Sequence, residues 1–164
     1  MDVVFFFPFP SLHRDKFHVS NILLSLFCGY RHAYYMVLYN FGDKLYSELV
    51  ATMTSHVKEI AKSVEATQGI SFLEELNTKW NDYYKALEMI RDILMYMDRT
   101  YISSTKKTPI YEFGLNLWRE NVIYSNQIRG RLLITLLEYE RRERAGEDVN
   151  RELNRNTTNM LMNL

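Results

Sequence analysis

A run of large residues between Leu73 and Tyr101 repeats at steps of three and four positions, the spacing of one face of an α-helix. Its members are Leu73, Leu76, Trp80, Tyr83, Leu87, Ile90, Leu94, Met97 and Tyr101. Such a run is typical of a seam that packs against other helices. The sequence therefore predicts one helix from Phe72 to about Tyr101, about thirty residues long, with one side buried.

The opposite side of this helix carries a different set of residues. At about 100° per residue, Asp92, Tyr96 and Arg99 fall together on the face that points away from the seam. An aromatic ring between an acid and a guanidinium is typical of a protein-binding hot spot. Periodicity alone leaves open a solvated face that happens to carry a tyrosine. We expect Tyr96 and Arg99 to be exposed, whereas Leu94 and Met97 should be buried.

The rest of the chain also has helical spacing, with few glycines and prolines to interrupt it, so we predict an all-α fold. One helix is expected to run to about Asn40, with Gly42 as its break, followed by a helix over 43–65 and a turn at Gly69. The first of these should present Tyr30, Tyr34, Val37 and Phe41 along one side.

Helix starts are suggested by capping residues. Ser71 and Glu74 have the spacing of a capping box, in which each side chain caps a first-turn amide of the other. After a polar linker at 103–107, Thr108 is expected to cap a helix whose first residue is Pro109. That helix should run to Gly146 through Tyr124, and a weaker one should start near Asp148.

Composition excludes several classes of function. Lysine plus arginine and aspartate plus glutamate both number 20, so no net charge favours nucleic acid or an anionic membrane. The single Cys28 excludes an internal disulfide and a cysteine metal site, which fits a reducing compartment. The four histidines, His13, His18, His32 and His56, do not have the spacing of metal ligands. The sequence also has no phosphate-binding loop and no nucleophile motif. We expect no catalytic residue, no metal and no cofactor.

Several segments resemble the N-terminal region of the cullin family, most closely plant members of the cullin-3 type. The longest is ALEMIRDILMYMDRTY at 86–101, and others are YRHAYYMVL at 30–38 and GLNLWR at 114–119. The resemblance runs from Tyr30 to Leu164. It implies a cullin-repeat-like helical bundle, a single open-ended repeat unit, in a noncatalytic scaffold of a ubiquitin ligase acting in ubiquitin-dependent protein degradation in the cytoplasm and/or nucleus.

The resemblance also implies a partner and a site. Cullin-3 proteins bind a BTB-domain substrate adaptor, and the matching adaptor-binding residues in this chain are Tyr30, Tyr34, Asp92, Tyr96 and Arg99. Two of these positions lie on the helix before Gly42. The other three are those that helical periodicity had already placed on one outward face.

The chain departs from the family before Tyr30. The family pattern LSFEEL is replaced by LSLFCG at 24–29, which removes a phenylalanine and two glutamates that help to bind the adaptor. We interpret residues 1–29 as an atypical leader, with 1–17 poorly ordered, and residues 30–164 as a partial repeat. The region that binds the RING protein is expected to be missing, and the terminal Met160, Leu161, Met162 and Leu164 to be uncovered. The alternative is a nonfunctional or competitor fragment that cannot assemble a ligase.

Overall fold

The computed structural model describes residues 19–67, 69, 71–146 and 150–164, with side chains described from Cys28 onward. No β-strand occurs in this part of the chain, so the all-α prediction is confirmed. The predicted disorder of residues 1–17 lies outside the described residues. The main helices are α1 (Val19–Leu38), α2 (Gly42–Ala66), α3 (Ser71–Ile93), α4 (Ile110–Trp118), α5 (Asn126–Arg144) and α6 (Arg151–Met162).

The long helix α3 supplies the centre of the core, as its apolar seam predicts. Seven of the nine seam residues are buried, while Ile90 and Tyr101 are half-buried at the edge. Helices α1, α2, α4 and α6 all pack against α3. Because each buried large side chain contributes about 1.5–3 kcal/mol, the seam accounts for why the other helices assemble around this one.

Helix α3 continues beyond Ile93 in an irregular form that we name the distal segment, residues 95–105. It consists of a short helical turn (Met95–Met97), a π-helical turn (Asp98–Ile102) and a final turn (Ser103–Thr105). Backbone bonds from Leu94 N–H to Ile90 O and from Asp98 N–H to Leu94 O keep the rod continuous across the junction. The helix ends at Lys106, whose φ of 55° is left-handed, so part of the predicted linker at 103–107 is helical instead.

Both predicted helix caps around α3 and α4 are wrong in detail. Ser71 is already the first helical residue, one position later than a capping box requires. Pro109 precedes the first turn of α4 instead of forming it. The Ile110 N–H donates to Asp98 Oδ1 at 3.1 Å, so the distal segment itself caps α4. A cap from a residue so distant in sequence leaves no local signal.

The single helix expected between Pro109 and Gly146 is also wrong. A π-helical turn (Arg119–Ile123) follows α4, and the chain then breaks at Tyr124 and Ser125 before α5 begins. Tyr124, placed on the apolar face by periodicity, is 58% exposed. Hydrogen bonds to the end of α2 stabilise this break. Ser125 Oγ donates to Glu65 Oε1 at 2.6 Å, and the Arg131 guanidinium donates to the Thr67 carbonyl at 2.6 Å.

The break between α1 and α2 falls at Asn40, not at the expected Gly42. Asn40 has a φ of 65°, a left-handed conformation that asparagine tolerates better than most residues. Gly42 instead starts α2 and lies against the ring of Tyr101, so close that a Cβ would approach Tyr101 Cδ2 to 2.7 Å. Phe41, expected on the inner side of α1, is 55% exposed because the helix ends before it.

The carboxylate of Asp43 ties the start of α2 to the end of the distal segment. Lys107 Nζ and Tyr101 Oη each donate to Asp43 Oδ1 at 2.6 Å. The hydrogen bond from Lys107, followed by that from Tyr101, holds the pKa of Asp43 below its ordinary value. The hydrogen bond to Asp43 in turn raises the pKa of Lys107.

Substitution of Asp43 by asparagine is expected to remove an acid-sensitive contribution to stability. Since the folded pKa of Asp43 is lowered, its contribution is present above the unfolded value of about 3.9 and is lost as pH falls through the folded value. Thermal unfolding of both proteins at about pH 7 and at lower pH should therefore show a difference that shrinks on acidification. Asp82→Asn is the control, because exposed Asp82 has no hydrogen bond or ion pair within the described chain. A difference that stays constant with pH would contradict the assignment.

More of the apolar side of α6 is buried than we expected. Met160 is 1% exposed, packed on the α3 side of the helix, so its predicted exposure is wrong. Only Met162 is strongly exposed, at 79%, while Leu161 and Leu164 are half-buried. The packing is fixed by a buried hydrogen bond of 2.7 Å from Asn77 Nδ2 on α3 to Thr157 Oγ1 on α6.

Candidate protein-binding surface

Helix α1 approaches the end of α3 through small residues. Gly29 faces Ile93, whose Cγ2 would lie at 3.5 Å, in ordinary van der Waals contact, from a Cβ added at Gly29, and Ala33 one turn later is buried. Helix α1 packs against α3 and the distal segment here, and this packing places Tyr34, next to Ala33, at the junction between them.

Tyr34 of α1 and Tyr96 of the distal segment are in direct contact. Their ring centroids are 4.5 Å apart and their planes are inclined by 52°. Aromatic pairs at this separation contribute about 0.5–1.5 kcal/mol beyond the area they bury. Sequence periodicity placed these two tyrosines on separate helices without showing that they meet.

Exposure along this stretch agrees with the angular prediction at three of four positions. Leu94 and Met97 are buried and Arg99 is exposed, as expected. Tyr96 is half-buried instead of exposed, because Tyr34 covers one side of its ring. The covering residue belongs to the same predicted site, so the tyrosine is shared between a contact within the chain and the surface.

Asp92 lies one turn before Tyr96 and accepts a hydrogen bond from the adjacent Arg91. Arg91 Nε donates to Asp92 Oδ1 at 3.0 Å, and this hydrogen bond raises the pKa of Arg91. The Arg91 guanidinium also lies over the ring of Tyr111 on α4, 5.4 Å from its centroid. The Asp92 side chain stays 69% exposed, so the carboxylate is positioned yet accessible.

The five predicted residues lie along two adjacent helices, and we name this set of residues the tyrosine strip. Tyr30 and Tyr34 are one turn apart on α1, and Asp92, Tyr96 and Arg99 follow each other by three or four residues on α3 and its continuation. The structure brings Tyr34 and Tyr96 together. Tyr30 is half-buried, and the two charged residues flank the tyrosine pair.

An apolar ridge beside this strip was missed by sequence reasoning. Four large apolar residues near the end of α1 are about half or more exposed: Tyr35 at 45%, Leu38 at 49%, Tyr39 at 66% and Phe41 at 55%. The rings form a series, since Tyr35 lies 5.6 Å from Tyr34 and stacks on Tyr39 at 6.3 Å. In the sequence, this ridge is indicated by Tyr35 and Tyr39, which are four residues apart and lie outside the predicted inner face of α1.

The described residues offer little to other kinds of site. They contain no group of three or more histidine, cysteine, aspartate or glutamate residues that could hold a metal ion. None of the helices in this part of the chain has the length and apolarity needed to cross a bilayer.

The fold belongs to the all-α class, with helices packed side by side around one long helix, and two of these helices bring aromatic side chains together. The family model for the cullin alpha solenoid domain matches residues 18–164. The chain belongs to the cullin family. The match begins upstream of Tyr30, and the division of the chain at residues 29 and 30 stays a prediction.

Several of the relatives that match the chain are cullin-3 proteins. The chain is 62% identical over 135 residues to both Cullin-3B and Cullin-3A of Arabidopsis thaliana, and 42% identical to Cullin-3 of Dictyostelium discoideum. Each alignment covers 82% of this chain and 18% of the relative. The chain thus spans less than a fifth of the length of these curated relatives.

Proposed function

We propose that this chain acts as a noncatalytic cullin scaffold segment of a ubiquitin ligase and that its tyrosine strip binds a BTB-domain substrate adaptor. The observation that carries the proposal is the contact between Tyr34 and Tyr96, which joins α1 and the distal segment into one aromatic surface. The proposed setting is ubiquitin-dependent protein degradation in the cytoplasm and/or nucleus.

The chemistry of the strip supports a protein partner. Tyrosine and arginine are enriched among residues that dominate interface energetics, and they work best near the centre of a patch that excludes water. The half-buried Tyr34–Tyr96 pair supplies such a centre, with accessible Asp92 and Arg99 at its margin. Packing inside the chain fixes the tyrosines in place, which lowers the entropy lost on binding.

The segment before Tyr30 affects the affinity that we expect for the adaptor. Its backbone is helical from Val19, so residues 24–29 continue the same helix as Tyr30 and Tyr34. In cullin-3 relatives this position is expected to carry a phenylalanine and two glutamates that are replaced here. If each contributes about 2 kcal/mol with incomplete additivity, about 4–6 kcal/mol is lost, or about three to four decades of affinity.

Truncation of Tyr96 to alanine is expected to weaken adaptor binding about thirtyfold or more, since a buried aromatic anchor contributes about 2 kcal/mol. The measurement is a calorimetric titration of one BTB-domain protein with the wild-type chain and the variant. The matched control is Tyr124→Ala, because Tyr124 is 58% exposed and lies at the break before α5, outside the strip. Thermal unfolding of each variant checks that the fold is retained.

Two outcomes would count against the proposal. Equal affinities of the wild-type chain and Tyr96→Ala, or equal losses for Tyr96→Ala and Tyr124→Ala, would show that the strip is not the binding surface. The same titration with the N-terminal region of an intact cullin-3 tests the expected weakness of this chain. Equal affinity there would mean that residues 1–29 supply a substitute surface.

A further inference from the structure

The apolar ridge at the end of α1 is joined to the tyrosine strip by an unbroken series of ring contacts. The series starts with the Tyr96–Tyr34 pair, whose centroids are 4.5 Å apart. It continues along α1 from Tyr34 to Tyr35 at 5.6 Å, edge to face, and from Tyr35 to Tyr39 at 6.3 Å, with the rings stacked. These arrangements are the ones that aromatic pairs favour. The strip and the ridge therefore form one aromatic surface.

The ridge end of this surface is available to a partner. Tyr35 and Tyr39 are exposed, and within the described chain neither hydroxyl group takes part in a hydrogen bond. Leu38 and Phe41, also exposed, contribute apolar area without a polar group. An exposed tyrosine offers a large rigid ring, a hydrogen-bond donor and few rotatable bonds, which suits it to protein contacts. A contiguous group of such side chains is typical of an interaction surface.

The backbone beneath the ridge is fixed where α1 ends. The Tyr39 N–H donates to the Tyr35 carbonyl at 2.9 Å, and the Phe41 N–H donates to the Met36 carbonyl at 2.8 Å. Between them, Asn40 makes the left-handed turn that ends the helix. Because the backbone and the stacked rings are already ordered, little conformational entropy is lost when a partner covers them.

The ridge and the strip require different chemistry in a partner. Asp92 and Arg99 lie at the margin of the strip, whereas none of the four ridge residues is charged. A charged group placed over the ridge would lose hydration without gaining a counter-charge. The complementary surface is therefore apolar, with oxygen acceptors for the hydroxyl groups of Tyr35 and Tyr39. Such a requirement distinguishes between partners that share the rest of a binding surface.

We propose that the apolar ridge is a second contact for the BTB-domain adaptor and that Tyr35 and Tyr39 select adaptors with an apolar surface at this point. The inference rests on the proposed function of the tyrosine strip. Continuity supports the same partner at both places, because Tyr35 packs edge-on against Tyr34 and is reached by a protein that covers the Tyr34–Tyr96 pair. The strip then positions the adaptor, and the ridge sets how tightly each adaptor binds.

The test is a calorimetric titration of one BTB-domain protein with the full chain and its variants. Tyr39→Ala is expected to weaken binding about tenfold, a smaller loss than for Tyr96→Ala because Tyr39 lies at the edge of the contact. Tyr39→Phe should keep most of the affinity, since it retains the ring. Tyr39→Lys should lose more than Tyr39→Ala, because it places a charge against an apolar surface.

Salt separates the ridge from the charged margin of the strip. The loss caused by Tyr39→Ala should be the same at about 0.1 M and about 0.5 M salt, whereas the loss caused by Arg99→Ala should shrink at the higher concentration. Thermal unfolding of Tyr39→Ala should stay close to that of the wild type, as is usual for an exposed position. The matched control is Tyr124→Ala, 58% exposed and outside both surfaces, which should leave the affinity unchanged.

The outcomes distinguish this inference from the proposed function. Wild-type affinity of Tyr39→Ala, together with a loss for Tyr96→Ala, would overturn the ridge contact and leave the proposed function standing. A loss for Tyr39→Ala without one for Tyr96→Ala would support the ridge and contradict the strip as the binding surface. Equal losses for Tyr39→Ala and Tyr124→Ala would overturn the ridge contact, and absence of binding by the wild-type chain would overturn both.

Discussion

Replacement of Trp118 by alanine is expected to lower the free energy of unfolding by about 3–5 kcal/mol. The side chain is fully buried on α4, with its ring centroid 5.2 Å from that of Trp80 and 5.1 Å from that of Tyr83, both on α3. Removal of the indole would leave a cavity between two helices that cannot close without separating from their other contacts. Chemical denaturation, monitored by circular dichroism, measures the difference.

Two further substitutions identify the physical origin of that loss. The Trp118 Nε1 group has no hydrogen-bond partner within the described chain, so packing should dominate its contribution. Trp118→Phe retains an aromatic ring and is expected to cost clearly less than Trp118→Ala. Leu133→Ala, at a position 61% exposed, should change stability by less than about 0.5 kcal/mol. Equal costs for phenylalanine and alanine at position 118 would indicate that the indole N–H has a buried partner.

The sequence predicted α3 well because its burial follows one period over many turns. Residues such as Leu76, Leu87 and Met97 repeat the same contact with the core, so each turn reinforces the assignment. Helix α2, bounded by Asn40 and Gly69, is similarly well defined. Where the apolar period is long and uninterrupted, local sequence and tertiary packing select the same structure.

The errors occur where distant residues determine local structure. The break at Tyr124 depends on Glu65 and the end of α2, and the start of α4 depends on Asp98. Periodicity continues through such breaks, since it records only which residues are apolar. The burial of Met160 likewise depends on α6 packing against α3, which no spacing within 150–164 reveals.

The tyrosine strip shows the same division. Helical angle alone grouped Asp92, Tyr96 and Arg99, and the family resemblance added Tyr30 and Tyr34. The contact of Tyr34 with Tyr96 could not be predicted from either source, because it depends on how α1 packs against α3 and the distal segment. The exposure of Tyr39 and Phe41 was missed because the end of α1 was placed two residues too late, whereas Tyr35 and Leu38 lie within α1 but outside its predicted inner face.

Leu87→Ala is expected to destabilise the fold by about 2–5 kcal/mol, since Leu87 is fully buried at the crossing of α3 and α4. Gly114 of α4 lies directly against it, and Tyr83 Oη donates to the Gly114 carbonyl at 2.8 Å. An added Cβ at Gly114 would come within 2.9 Å of Leu87 Cδ2 and 3.1 Å of Met53 Cε. Gly114 thus fits α4 to α3 because it has no side chain.

The same geometry predicts that the two substitutions compensate each other. Alone, Gly114→Ala should destabilise the protein, because overpacking costs about 1–3 kcal/mol and the helix gains at most about 1 kcal/mol. With Leu87→Ala, the new methyl group occupies vacated space, so the double variant should be more stable than the sum of the single effects predicts, by about 1 kcal/mol or more. Gly130→Ala on α5 is the matched control, since a Cβ there meets nothing within 4 Å and alanine should stabilise the helix. Denaturation of the wild type, the two single variants and the double variant measures the coupling. Additive losses at positions 87 and 114 would show that the two helices move apart on substitution.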